Sequence, residues 1–141
     1  MPEFGSCNLS SLNLSEFVNN PFTEEAEIDI EYFKKGVKKA VVFMNEVLDE
    51  AIEKNLFPLE EQKETVIKWR PIGIGVLGFH DMLIKLGIKY GSEESLDIIH
   101  ELGREMIWAA MEQSIELAKE HGAYEEFDYN SIMQSDYYQA H

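Results

Sequence analysis

Residues 70–81 read RPIGIGVLGFHD and set Gly73, Gly75 and Gly78 in the spacing G-x-G-x-x-G. Glycines so spaced cradle a pyrophosphate when they form the turn between a buried strand and a helix, where free backbone amides and the helix N-terminus face the anion. Glu93 follows Gly73 at the interval expected of a ribose-binding acid. The context is wrong for that chemistry. The preceding residues are ETVIKWRP, Pro71 stands where a strand would hand over to the turn, and Glu93 opens a helix instead of closing a second strand. The glycines are therefore read as a place where another backbone packs closely against the start of a helix.

The other reactive side chains are scattered. Cys7 is the single cysteine, so neither an internal disulfide nor a multi-cysteine metal site is expected. Lone cysteines are usually inert and buried, and only a specific context argues for redox work. His80, His100 and His121 fall in no H-x-x-x-H or E-x-x-H spacing and read as surface or satisfied polar residues. Trp69 and Trp108 read as packing residues, and Arg70 as one half of a structural salt bridge. Carboxylates are too numerous for spacing alone to single out a catalytic pair.

Four helices would have to carry these residues. The first starts at Asp29, a favourable N-cap, and runs through Ile30, Phe33, Val37, Val41, Met44, Leu48 and Ile52 at three- and four-residue intervals. Lys34, Lys35, Lys38 and Lys39 lie off that stripe and read as a solvated face. Pro58 ends the pattern, and a shorter helix follows from Leu59 to about Lys68. A third is expected to hold the glycines and to run through Phe79, Met82, Leu83 and Leu86 to a stop at Gly87. The longest starts at Ser92, with Glu93 and Glu94 at its positive end, and continues to Gly122. Its second apolar set (Ile98, Leu102, Ala109, Met111, Ile115) predicts enclosure on several sides. Ahead of the helices, CNLSSLNL reads as a buried strand, and no other convincing strand is present to pair with it. The tail from Glu125 to His141 shows no period.

Composition sets wider bounds. The chain has 141 residues, 45% of them apolar and 28% charged, as in ordinary globular proteins. The net charge of −15 falls mostly on the two ends, residues 1–30 carrying acids and no base. Such a surface disfavours the phosphate backbone of nucleic acid. No apolar run approaches a membrane span, and the N-terminus lacks the pattern of a secretory signal. A reducing, cytoplasmic setting is expected. Glu3-Phe4 and Gly5-Ser6 have the look of cloning junctions, so residues 1–6 are set apart. Residues 7–18 form the strand segment and residues 29–141 the helical segment of one unit.

Two stretches together resemble the catalytic, large subunit of ribonucleotide reductase. GSCNLSSLNLSEFV is similar to the segment bearing one of that family's redox-active cysteines. RPIGIGVLGFHDMLIKLGIKYGSEES is similar to its glycine-rich helix-turn segment, and ELAKEHGAYEEF to the close of the following long helix. The order is preserved along nearly the whole chain, and the wording of HDMLIKLGIKYGSEES is nearest to adenosylcobalamin-dependent enzymes.

The resemblance implies a piece of the family's ten-stranded α/β barrel, mainly helical, with a short N-terminal strand whose neighbours lie elsewhere. It implies that Cys7 is one of two thiols that reduce a ribonucleotide to a deoxyribonucleotide after a thiyl radical removes the 3′ hydrogen. The pair then closes to a disulfide, which a thioredoxin-like reductant reopens. Several family features have no counterpart. The radical cysteine's Asn-x-Cys-x-Glu motif is missing, since Gly5 and Leu9 flank Cys7 at those positions. No second cysteine is present, and Thr23 and Thr65 are too few for the Thr/Ser-rich phosphate loop. The resemblance thus implies partners in the remaining segments of the subunit, no activity by this piece alone, and self-association through residues 7–14 or through unburied helix faces. Adenosylcobalamin, or a metal-radical partner subunit instead, would belong to the full enzyme and not to this piece. Two other readings stay open at this point. One is an acidic helical interaction module without chemistry. The other is a nicotinamide-binding protein, which requires a parallel sheet.

Overall fold

The computed structural model describes residues 3–136. The chain runs β1 (Asn8–Asn13), a 3-10 turn (Leu14–Phe17), β2 (Val18–Asn19), β3 (Glu27–Ile28), α1 (Ile30–Glu53), α2 (Glu60–Trp69), β4 (Ile72–Leu77), α3 (Phe79–Leu86), α4 (Glu93–His121) and α5 (Tyr129–Met133). The last five residues of the tail, expected to show no period, lie outside the described residues. Its nearer part forms the short α5.

The helix boundaries follow local chemistry. The Asp29 carboxylate accepts a hydrogen bond from the Tyr32 amide at 2.8 Å and caps α1. The Ser92 hydroxyl likewise accepts from the Ser95 amide at 3.3 Å at the head of α4. Gly87, at φ 73°, ends α3 in the left-handed conformation that glycine adopts most readily. At the end of α2 it is Arg70 that turns left-handed, at φ 43°, immediately before Pro71. That backbone costs roughly 1 kcal/mol or more for a residue with a Cβ. The guanidinium helps to hold it: Arg70 pairs with Asp49 at 2.7 Å and donates to Asn45 Oδ1 at 3.3 Å, the structural salt bridge expected of it.

The expectation for the glycines is corrected. They do not lie within α3: Ile72–Leu77 is a strand, β4, and it pairs in parallel with β1 from Asn8↔Ile72 to Asn13↔Leu77. The strand at residues 8–13 therefore has a neighbour inside this chain, contrary to the expectation that all its neighbours lie elsewhere. Ile72, Ile74 and Val76 alternate with Gly73, Gly75 and Leu77, which is the period of a strand. Glycine's weak strand propensity hides that alternation. Parallel neighbours need a long crossover, supplied here by α1 and α2.

The core lies on one side of this pair. Leu14, Phe17, Phe33, Val37, Met82, Leu102 and Ala109 form a buried cluster, with Leu12 and Ile74 packed against it from the strands. Phe17 meets Phe33 edge-on, the ring centroids 5.3 Å apart. α1 lies along α4, and ion pairs bridge the seam: Lys38 meets Glu112 at 2.8 Å and Lys34 meets Glu105 at 3.8 Å. The hydrogen bond and charge of Lys38 hold the Glu112 carboxyl below the usual carboxylate range. A hydrogen bond from Lys34 to Glu31 raises the Lys34 ammonium in turn.

The long helix is not enclosed on several sides among the described residues. Leu102 and Ala109 are buried, whereas Leu96, Trp108, Met111 and Ile115 stay exposed. Trp108 is thus not a buried packing residue here, and Trp69, 41% exposed, packs beside Tyr124. Among the described residues no helix is long and apolar enough to cross a membrane.

Phe33→Ala should lower the stability of this chain by about 3–5 kcal/mol in urea denaturation, since it empties a fully buried aromatic site. Phe43→Ala, at a position 62% exposed, should stay within about 0.5 kcal/mol of the parent. The Glu112 carboxylate favours the folded state above its unfolded value, near 4.5, and loses that contribution as pH falls through its lowered folded value. Glu112→Gln should therefore change thermal stability at neutral pH but not at strongly acidic pH, and added salt should shrink the difference.

Candidate active-site face

A strand sends successive side chains to opposite sides, so the parallel pair has two unlike faces. Leu12 packs against the core, and Ile72 and Ile74 on the same side line an apolar groove with Val41, Met106 and Ile107. Leu9, Ser11 and Asn13, with Cys7 just ahead of the strand, are exposed on the other side. Leu9 is 75% exposed on that face. Opposite Leu9, Ser11 and Asn13 on β4 stand Gly73, Gly75 and Leu77.

The cysteine is placed by its backbone. The Asn8 amide donates to the Pro71 carbonyl at 3.2 Å, and the Asn8 side chain donates to the Met44 carbonyl of α1 at 3.0 Å. Both bonds tie the residue after Cys7 to the scaffold and leave its thiol on the open face. Cys7 is a free, exposed cysteine, so the burial usual for lone cysteines does not hold among the described residues.

Bare β4 determines where the β1 side chains lie. A Cβ built on Gly73 would stand 2.6 Å from Leu9 Cδ2 and 3.1 Å from Cys7 Sγ, and one on Gly75 would stand 3.3 Å from Ser11 Oγ. The close approach is thus made by side chains, not by a packed backbone as the sequence suggested. Gly78 differs in kind: φ is 72°, and a Cβ there would meet Asn13 Oδ1 at 2.2 Å. Asn13 uses that oxygen to accept from the Ser15 amide at 3.3 Å and the Ser15 hydroxyl at 3.1 Å, closing the turn that leaves β1.

A parallel sheet is present after all, but it does not rescue the dinucleotide reading. Gly73 and Gly75 lie inside the ladder opposite Leu9 and Ser11, not in a turn at a helix N-terminus. The histidines remain dispersed: His80 stacks on Tyr90 with ring centroids 5.4 Å apart, while His100 and His121 are exposed on α4. Among the described residues no cluster of His, Cys, Asp and Glu has the arrangement of a metal site.

Sequence reasoning singled out Cys7 but missed Ser11 and Asn13 on the same face. Their signal was the alternation Cys7, Leu9, Ser11, Asn13, legible once residues 8–13 are taken as a strand.

Two parallel strands joined through helices that cover one face, with the other face open, are a segment of a β/α barrel or of an open α/β sheet. The family model for the ribonucleotide reductase barrel domain matches residues 2–141, and the chain belongs to that family. It is 34% identical over 125 residues, 89% of its length, to the ribonucleoside-diphosphate reductase large subunit of African swine fever virus. The alpha subunit of the Chlamydia pneumoniae enzyme is 34% identical over 122 residues, 86% of the chain. The vitamin B12-dependent ribonucleoside-diphosphate reductase of Thermoplasma acidophilum is 43% identical over 95 residues, 67% of the chain. The chain spans 15% of the viral relative's length and 11% of each of the other two.

An exposed Cys7 should be alkylated by iodoacetamide in the folded 141-residue chain at a rate within about tenfold of that in denaturant. Protection by several orders of magnitude would show the thiol to be buried.

Proposed function

We propose that this chain is a segment of a ribonucleotide reductase catalytic subunit and that Cys7 is one of the two thiols that reduce the substrate. The observation that carries the reading is the exposed thiol on the uncovered face of the parallel pair, in a segment that belongs to this barrel family. A reducing cysteine must reach both substrate and a second thiol, and a helix-covered position would allow neither.

The stoichiometry is that of a dithiol reduction. Cys7 and a second thiol, contributed by another segment of the subunit, each lose a hydrogen and join as a disulfide. The C2′–OH bond of the ribonucleotide breaks, a C2′–H bond forms, and the oxygen leaves as water. An external dithiol of the thioredoxin class then reduces the disulfide. Bridging requires the two Cα atoms to lie within about 4.4–6.8 Å of each other. Removal of the 3′ hydrogen and binding of the substrate phosphates fall to the other segments, so this chain alone should be inactive.

In the full-length enzyme we assign radical generation to adenosylcobalamin. The vitamin B12-dependent relative has the highest identity of the three compared. When bound, that cofactor supplies the initiating radical. None of the residues around Cys7, namely Leu9, Ser11, Gly73 and Gly75, is assigned to that cofactor. The working compartment is the cytoplasm, where a catalytic dithiol can be regenerated.

Cys7→Ser in the full-length enzyme should abolish multiple-turnover reduction of ribonucleotides with a dithiol reductant. Turnover at the parent rate would remove Cys7 from the mechanism. The 141-residue chain by itself should form no deoxyribonucleotide, and activity in the full-length protein should depend on added adenosylcobalamin.

A further inference from the structure

Glycine inside a strand weakens it, and two in six residues call for a reason. Backbone conformation does not supply one at Gly73, which is absent from the glycines with positive φ. The reason is steric. Its missing side chain leaves the space that Leu9 Cδ2 and Cys7 Sγ lean across, 2.6 and 3.1 Å from the place a Cβ would take. A contact of 3.1 Å requires the sulfur to shift by tenths of an ångström or to change rotamer. Among the described residues the Cys7 thiol has little else to hold it than a weak hydrogen bond to the Asn8 carbonyl at 3.8 Å.

We propose that Gly73 is a positioning residue for the Cys7 thiol, its bare Cα setting the direction in which the sulfur reaches toward its partner thiol. This rests on the reading of Cys7 as a reducing thiol. Disulfide formation is sensitive to the angle and distance between two Cβ–S bonds, so a displaced sulfur alters the stability of the disulfide as well as the rate at which it forms. The effect acts through Cys7; Gly73 itself has no group to offer the substrate.

The test uses the full-length enzyme and measures two things, multiple-turnover reduction with a dithiol reductant and the equilibrium of the Cys7 disulfide in a thiol–disulfide redox buffer. Gly73→Ala should lower turnover by about tenfold, a displacement smaller than the 1 Å that can cost a hundredfold, and should shift the disulfide equilibrium. Gly103→Ala, at a glycine with open space around its Cβ position, should change neither. Leu9→Ala/Gly73→Ala removes the tighter of the two clashes and protects folding. Relative to Leu9→Ala alone, it should still show both the loss of turnover and the shifted equilibrium.

Restoration of both by the double variant would overturn the proposal, because the clash would then lie with Leu9 and not with the sulfur. So would parent behaviour of Gly73→Ala in both measurements. Cys7→Ser in the same turnover assay separates the two layers. Parent turnover by that variant overturns the reading of Cys7 and this inference with it. Lost turnover by Cys7→Ser beside an unaltered Gly73→Ala overturns this inference alone.

Discussion

The parallel ladder between β1 and β4 is the constraint on which the rest of the structure depends. It joins residues 8–13 to residues 72–77 across the whole length of α1 and α2. Closing so long a loop is entropically unfavourable, and a two-stranded sheet is marginal on its own. The compensation comes from one side only. α1 and α4 bury the apolar cluster against Leu12 and Ile74, and the Asn8 side chain ties the start of β1 to the carbonyl of Met44 in α1. Because the helices cover a single face, the other must present whatever the alternation of the strands leaves there, and it leaves the thiol.

What the sequence disclosed and what it hid divide along physical lines. Helix caps are local, so Asp29, Ser92 and Gly87 announced the ends of their helices through chemistry confined to a few residues. The stripe of α1 was legible because its partner, α4, lies in the same chain. β4 was hidden because its identity rests on pairing with a strand far away in sequence, and because glycines thinned the alternation from which a strand is read. α4 was misjudged for a related reason. Its second apolar set was correctly seen, but only Leu102 and Ala109 of that set are buried among the described residues, while Met111 and Ile115 stay exposed. A sequence reports how much apolar surface it carries, not which polypeptide will cover it. The candidate site was legible in part: Cys7 through its resemblance, Ser11 and Asn13 only through the strand face.

The dinucleotide motif shows why spacing without context misleads. G-x-G-x-x-G binds phosphate when its free amides and the following helix N-terminus both face the anion. Here Gly73 and Gly75 are committed to a ladder, and Gly78 yields its Cβ space to the Asn13 side chain that closes the turn after β1. The three glycines thus share one steric theme, room for a side chain of β1, and each makes room for a different one.

That theme bears on how an uncovered sheet face is used. In barrels stabilised by their interiors, bulky branched side chains from alternate strands fill the centre in layers. The uncovered face here carries a thiol, a hydroxyl, an amide, two glycines and two large apolar groups, Leu9 and Leu77, both left exposed. Such a face contributes little hydrophobic stabilisation by itself, and its glycines cost strand stability besides. Selection for stability alone would not favour it. A face that leaves a thiol and two leucines uncovered at that cost makes sense if the space in front of it is to be occupied by something else.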